Sequence, residues 1–444
     1  MREKMTPTLY AMGDALSLRA VKTERFKVGY LSVSAVLPIQ RERVYKTTLL
    51  LSVLRRGTER YPTLAAINRR LDYLYGTEIG MRNFYRGDAQ IIGFCAELLD
   101  PSYLPAGEDV TRGALELITQ LLFHPLLDER GLLNAAYVEH EKRVQCDMIR
   151  SLKNNPRAYA SDRLRELLLE GEPCVAPPYG TEEQVMAVTP EELTAHWREL
   201  VASLSLECIY IGREDPQRLC ALLRETVGAE LGERSVTPYR APVRAVPNRN
   251  RLQPRTVEEE MAVMQCHLVL GFCTDCTLND PAHRACLLFN EMLGASPISK
   301  LFVNVRERLS LCYSCGSSYQ PYKGTLTVYC GLGDENRAIA MREIMRQVKA
   351  IAKGEFTDGE LEAAKRSLIN AYRQVEDSSA ALENFYLGQL LNGSSRTLEA
   401  CRHEIGILTR EDVVAVAKRV RLDCVYYLQG TLEDGGAEAE DEND

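Results

Sequence analysis

The sequence predicts an α+β protein made of two homologous domains, each a mainly antiparallel β-sheet with helices on one face. Three observations predict it. The chain has 444 residues, more than one ordinary core accommodates. Strand-like and helix-like runs are mixed along its length, several of the strands separated only by short turns. And a set of elements in the first half recurs, in order, in the second.

From the N-terminus, residues 27–37 alternate as a strand, and 47–58 (TTLLLSVLRRGT) read as a helix. Residues 90–96 form a further strand, and helices cover most of 129–170. The segment 189–212 (TPEELTAHWRELVASLSLECIYIG) opens with a Thr cap and acidic residues, runs through an amphipathic helix, and ends in a strand at Gly212. Residues 233–258 hold Pro238, Pro242, Pro247 and Pro254 with six arginines, which breaks any long helix or central strand. They read as an extended linker with room for one short strand. Beyond it come strands at 265–271, 311–319 and 324–331, the last two turning at Pro321-Tyr322-Lys323. Helices then cover most of 358–391, and 409–430 (TREDVVAVAKRVRLDCVYYLQG) repeats the Thr-capped helix and strand of 189–212.

The Thr-to-Thr offset is about 220 residues. Residues 126–144 correspond to 355–375, both starting at an acidic cap before a long helix, and 47–58 correspond to 285–296. The expected organisation is therefore an N-terminal domain over 1–232, a linker over 233–258, a C-terminal domain over 259–431 and an acidic, disordered tail over 432–444. That tail carries seven carboxylates and no Lys or Arg. The other acidic residues nearly balance the 54 basic ones, so the near-neutral body carries no basic nucleic-acid footprint. No apolar run reaches the ~18 residues of a spanning helix. The mixed charges of Met1-Arg2-Glu3-Lys4, with no apolar stretch behind them, predict no secretory signal. With 14 scattered cysteines, many in apolar runs, this points to a reducing, cytoplasmic location.

Much familiar chemistry is absent. The six histidines are never closer than 16 residues, so no helix carries a metal-binding pair, and HExxH and HxxEH do not occur. No Walker A loop, GxGxxG fingerprint or GxSxG elbow occurs either. Two CxxC pairs, Cys273/Cys276 and Cys312/Cys315, have spacing that a zinc ribbon or a redox pair could use. Placing Cys312 and Cys315 in one strand sends their side chains to opposite faces, which favours ordinary buried thiols.

Over about residues 20–430 the chain resembles the pitrilysin/insulinase-type (M16) metallopeptidases, whose LuxS-like fold includes the mitochondrial processing peptidases. Active members carry HxxEH on a first-domain helix, followed by Gly-Thr. Leu54-Arg55-Arg56-Gly57-Thr58 resembles that flank, which puts the motif on Thr48 to Ser52. Thr48 and Ser52 then stand at the two His positions and Leu51 at the general base. Glu141 resembles the first Glu of the distal helix, and the third ligand, seven residues on, falls on Met148, with Asp147 beside it. His140 and Glu141 themselves read as an exposed helix face. The resemblance implies an inactive member with no metal or cofactor of its own.

Second domains of the family carry Arg and Tyr seven residues apart in a segment like REK-x-GLxYS. Arg306 to Ser314 (RERLSLCYS) resembles it, with Arg306 and Tyr313 at the two positions. The resemblance implies substrate binding by this pair and a partner subunit that bears HxxEH and the zinc, as in the heterodimeric bacterial members. The alternative it leaves is a purely structural or binding homologue. A third class, thiol-based catalysis, has cysteines but no Cys-His arrangement behind it. Gram-positive relatives without the zinc motif also bear names linked to modification of elongation factor P, a label without a mechanism.

Overall fold

The computed structural model describes residues 5–246 and 253–432; the acidic segment 433–444 and the linker's Pro247 lie outside the described residues. Two sheets organise the chain. The first contains β1 (Thr8–Ala11), β2 (Leu16–Lys22), β3 (Val28–Pro38), β4 (Glu78–Arg86), β5 (Ala89–Leu99) and β6 (Leu206–Gly212), in the order β1-β2-β6-β3-β5-β4. The second contains β7 (Arg255–Met261), β8 (Cys266–Cys273), β9 (Ser314–Gln320), β10 (Thr325–Leu332) and β11 (Arg421–Gly430), in the order β7-β11-β8-β10-β9.

The two orders are one topology. In each sheet a single parallel pair, β2 with β6 or β7 with β11, joins strands far apart in sequence. All other pairings are antiparallel. β1 is an extra edge strand of the first sheet. The repeat is also local: Thr189 and Thr409 each close a capping box, with Glu192 and Asp412 respectively, ahead of the helix that leads into the parallel-paired strand.

Some expected boundaries move. The helix placed from 129 begins at Ala135. Asp128 caps a turn instead, its carboxylate accepting from the N–H groups of Arg130 and Leu132, while Gly131 takes φ +72°. The strand placed over 311–319 begins only at Ser314.

The described residues form two compact units that do not follow chain order. One holds residues 5–151, 172–242 and 371–400; the other holds 152–171, 243–246, 253–370 and 401–432. In the first unit the helices Val44–Leu54, Val110–Phe123 and Pro216–Glu225 pack on one face of the sheet, with Leu49, Leu50 and Leu51 fully buried. Its other face, carrying Val21, Val36, Ile91 and Ile209, is covered by the helix Ser379–Leu391 through Leu382, Tyr386 and Leu387. The second sheet repeats this. Val269, Tyr426 and Leu428 on its outer face are covered by the helix Pro156–Leu168 through Ala160, Leu164 and Leu168. Each sheet thus takes one covering helix from the opposite half of the chain. Full burial of both faces accounts for strands such as β8, in which every residue is buried.

Candidate functional site

In the first unit, Thr48, Leu51 and Ser52 lie on the helix Val44–Leu54. The Thr48 hydroxyl is 2.6 Å from the Pro178 carbonyl oxygen and accepts from Asn83 Nδ2 at 2.9 Å. The Ser52 hydroxyl donates to the Thr48 carbonyl at 3.3 Å. Leu51 is wholly buried, and Met148, on the helix Ala135–Ser151, is exposed. Asp147 spends its carboxylate on Arg150 at 3.1 Å. This donor set does not fit zinc: the hydroxyls are neutral and already used within the fold, and no carboxylate replaces the general base.

Glu141 departs from the expected exposed face. His140 is exposed, but Glu141 is buried and paired with Arg56. Arg56 follows the end of the helix Val44–Leu54, so a guanidinium neutralises the buried carboxylate.

In the second unit, Arg306 lies on a π-helical segment, Phe302–Arg308, with its guanidinium 4.7 Å from the Phe302 ring centroid. Leu311 N–H closes the turn onto the Val305 carbonyl at 3.0 Å, and Ser310 takes φ +47°. Tyr313 follows, just before β9; its N–H donates to the Gly331 carbonyl at 2.9 Å and the residue is 71% exposed. Arg306 and Tyr313 line one concavity of about 480 Å³ together with Glu307, Cys312, Gly333 and Asn336. Arg306 offers fixed cationic donors there and Tyr313 a phenolic donor.

The two CxxC pairs are not brought together. Cys273 faces the outer core of its sheet, and Cys276 shares a thiol contact with Cys286. Cys312, outside β9, instead approaches Cys315 and the fully buried Cys330, the three sulfurs lying within 4.8 Å of one another. Contacts from the Cys315 and Cys330 thiols, aided by Arg306, draw Cys312 down to about 4; thiol contacts and burial push Cys315 and Cys330 up. Sequence reading missed Cys330, although a hairpin centred on Tyr322 already sets it nearly opposite Cys315. The register pairs them directly.

Comparison with known proteins agrees with this architecture. The family described as "Peptidase M16 inactive domain" matches residues 187–368. "Probable inactive metalloprotease YmfF" of Bacillus subtilis (strain 168) is 28% identical over 419 residues, 94% of this chain and 96% of that protein. "Uncharacterized zinc protease YmxG" of the same strain is 21% identical over 341 residues, covering 76% of this chain and 80% of that protein. The crystal structure of a conserved protein from Enterococcus faecalis V583 superimposes with a TM-score of 0.87 at 26% identity, covering 97% of this chain and 100% of that one. The chain is thus similar to the peptidase M16 family: its residues 187–368 match the inactive-domain model, and nearly its whole length is similar to a protein named as a probable inactive metalloprotease.

Proposed function

We propose that the chain is the non-catalytic subunit of an M16-type peptidase, pairing with an HxxEH-bearing subunit and presenting Arg306 and Tyr313 to a peptide substrate. The observation that carries this reading is the second-unit concavity: both side chains line it, Tyr313 largely exposed, while the first-unit positions hold no metal ligand set. Arg306, whose guanidinium also lies 3.8 Å from the Glu307 carboxylate, and the exposed Tyr313 are two donors at one cavity, and they suit an oxygen on which negative charge develops during peptide hydrolysis. The partner would bring the zinc and the nucleophile; this chain would bind the peptide and stabilise charge. That one bacterial strain holds relatives named both as an inactive metalloprotease and as a zinc protease supports a division of labour.

The test is reconstitution with an HxxEH-bearing M16 protein from the same cell. The expected result is a stable complex on gel filtration that cleaves peptides faster than either chain alone. If the two chains do not associate, or the zinc-bearing protein cleaves equally well alone, the pairing reading fails and a structural role replaces it.

A further inference from the structure

Cys312, Cys315 and Cys330 converge by three separate local devices. Cys315 and Cys330 are direct cross-strand partners on β9 and β10, so their side chains share a face. Cys312 is carried back toward them by the turn after Phe302–Arg308, which the Leu311–Val305 and Tyr313–Gly331 backbone bonds hold at both ends. No other group of three or more His, Cys, Asp or Glu among the described residues gathers its ligand atoms this closely. We propose that these three cysteines form a thiolate site for a zinc ion.

The chemistry suits that ion. Tetrahedral zinc with ~2.3 Å bonds to sulfur needs S···S separations of about 3.8 Å. Sulfurs already within 4.8 Å reach that by modest side-chain rotation. Soft thiolates select zinc over magnesium or calcium. Each Zn–S bond replaces a bound water, and the thiol proton lost on ligation goes to solvent; nothing is oxidised or reduced. Three thiolates around Zn²⁺ leave one negative charge, and the neighbouring Arg306 guanidinium offsets it. The fourth position is left for water, and Cys312 lines the same concavity as Arg306 and Tyr313. The site lies in the second unit, separate from the Thr48–Ser52 positions, and does not depend on any peptidase partner.

The experiment uses the full chain alone, purified under reducing conditions and given zinc or Co²⁺ as probes. The expected result is one zinc per chain after dialysis and a sulfur-to-cobalt charge-transfer band with Co²⁺. Cys312→Ser, which alters a half-buried loop residue, and Cys315→Ala should each weaken zinc binding by about 100-fold or more. Cys95→Ala, in the other unit, should leave it unchanged. A melting curve for each variant separates lost ligation from lost folding. Absence of bound metal in the folded wild-type chain would overturn the proposal. So would zinc retained in both site variants, cobalt bound without the charge-transfer band, or a metal-free chain two mass units light that thiol reductant restores.

Discussion

Arg82 and Glu383 lie 301 residues apart in sequence and form a buried ion pair, their nitrogen and oxygen 3.0 Å apart at 7% and 2% side-chain exposure. Ser32 donates to the same carboxylate at 2.7 Å, so β3, β4 and the helix Ser379–Leu391 meet at one charged point inside an apolar layer. The second unit has a counterpart. Glu259 on β7 accepts from Arg163 and Tyr159 of the helix Pro156–Leu168 and from Tyr426 of β11. Each covering helix is thus registered on its sheet by a carboxylate as well as by apolar packing.

Removing one member of the Arg82–Glu383 pair strands the other in a low-dielectric layer. Glu383→Ala should lower the stability of the first unit by about 3–5 kcal/mol, while Arg82→Met with Glu383→Leu should recover most of the loss. Urea denaturation of the single and double variants measures this. A loss below ~1 kcal/mol for Glu383→Ala would show that the helix is held by its leucines alone.

Much of the architecture was legible in the sequence because its signals are local. Thr189 and Thr409 announce helices by their own hydroxyls, and Pro321-Tyr322-Lys323 marks a hairpin by its own turn chemistry. The exchange of covering helices was not legible. The apolar stripe of Leu382, Tyr386 and Leu387 says that a helix must bury one face, not which sheet it meets. The same limit applies at the candidate site. Spacing pairs Cys312 with Cys315, but Cys330 joins them through strand register, and Glu141 finds Arg56 only after the helices pack.

Ser310 takes φ +47°, in the left-handed region. An L-residue there costs ~1–2 kcal/mol, part of which glycine's greater unfolded-state freedom offsets. Ser310→Gly should therefore raise stability by about 0.5–1 kcal/mol. Chemical denaturation decides the sign, and destabilisation would mean that the Ser310 side chain holds the turn.

His196, on the helix Pro190–Ser203, sits 2.9 Å from the Thr47 hydroxyl, and burial with the nearby Arg43 and Lys46 charges lowers its pKa from 6.5 to about 4. The unfolded chain takes up this proton near pH 6.5 and the folded chain only near pH 4. The unfolded state then binds more protons in that window, so stability is full above pH 6.5 and falls as the pH drops toward 4. The contribution is at most about 3 kcal/mol. His196→Gln should flatten stability between pH 6.5 and 4.5. An unchanged pH profile in the variant would place the acid sensitivity elsewhere.

Kinetics of Tyr313→Phe and Arg306→Ala in a reconstituted heterodimer test the central claim most directly. Tyr313→Phe removes only the hydroxyl of an exposed side chain, whereas Arg306→Ala also loses the stacking on Phe302 and needs a melting-temperature control. Losing one preorganised donor should lower kcat by about 10²–10³ with assembly intact. Wild-type cleavage rates by stable, correctly assembled complexes of both variants would contradict the account and leave Arg306 and Tyr313 as structural residues.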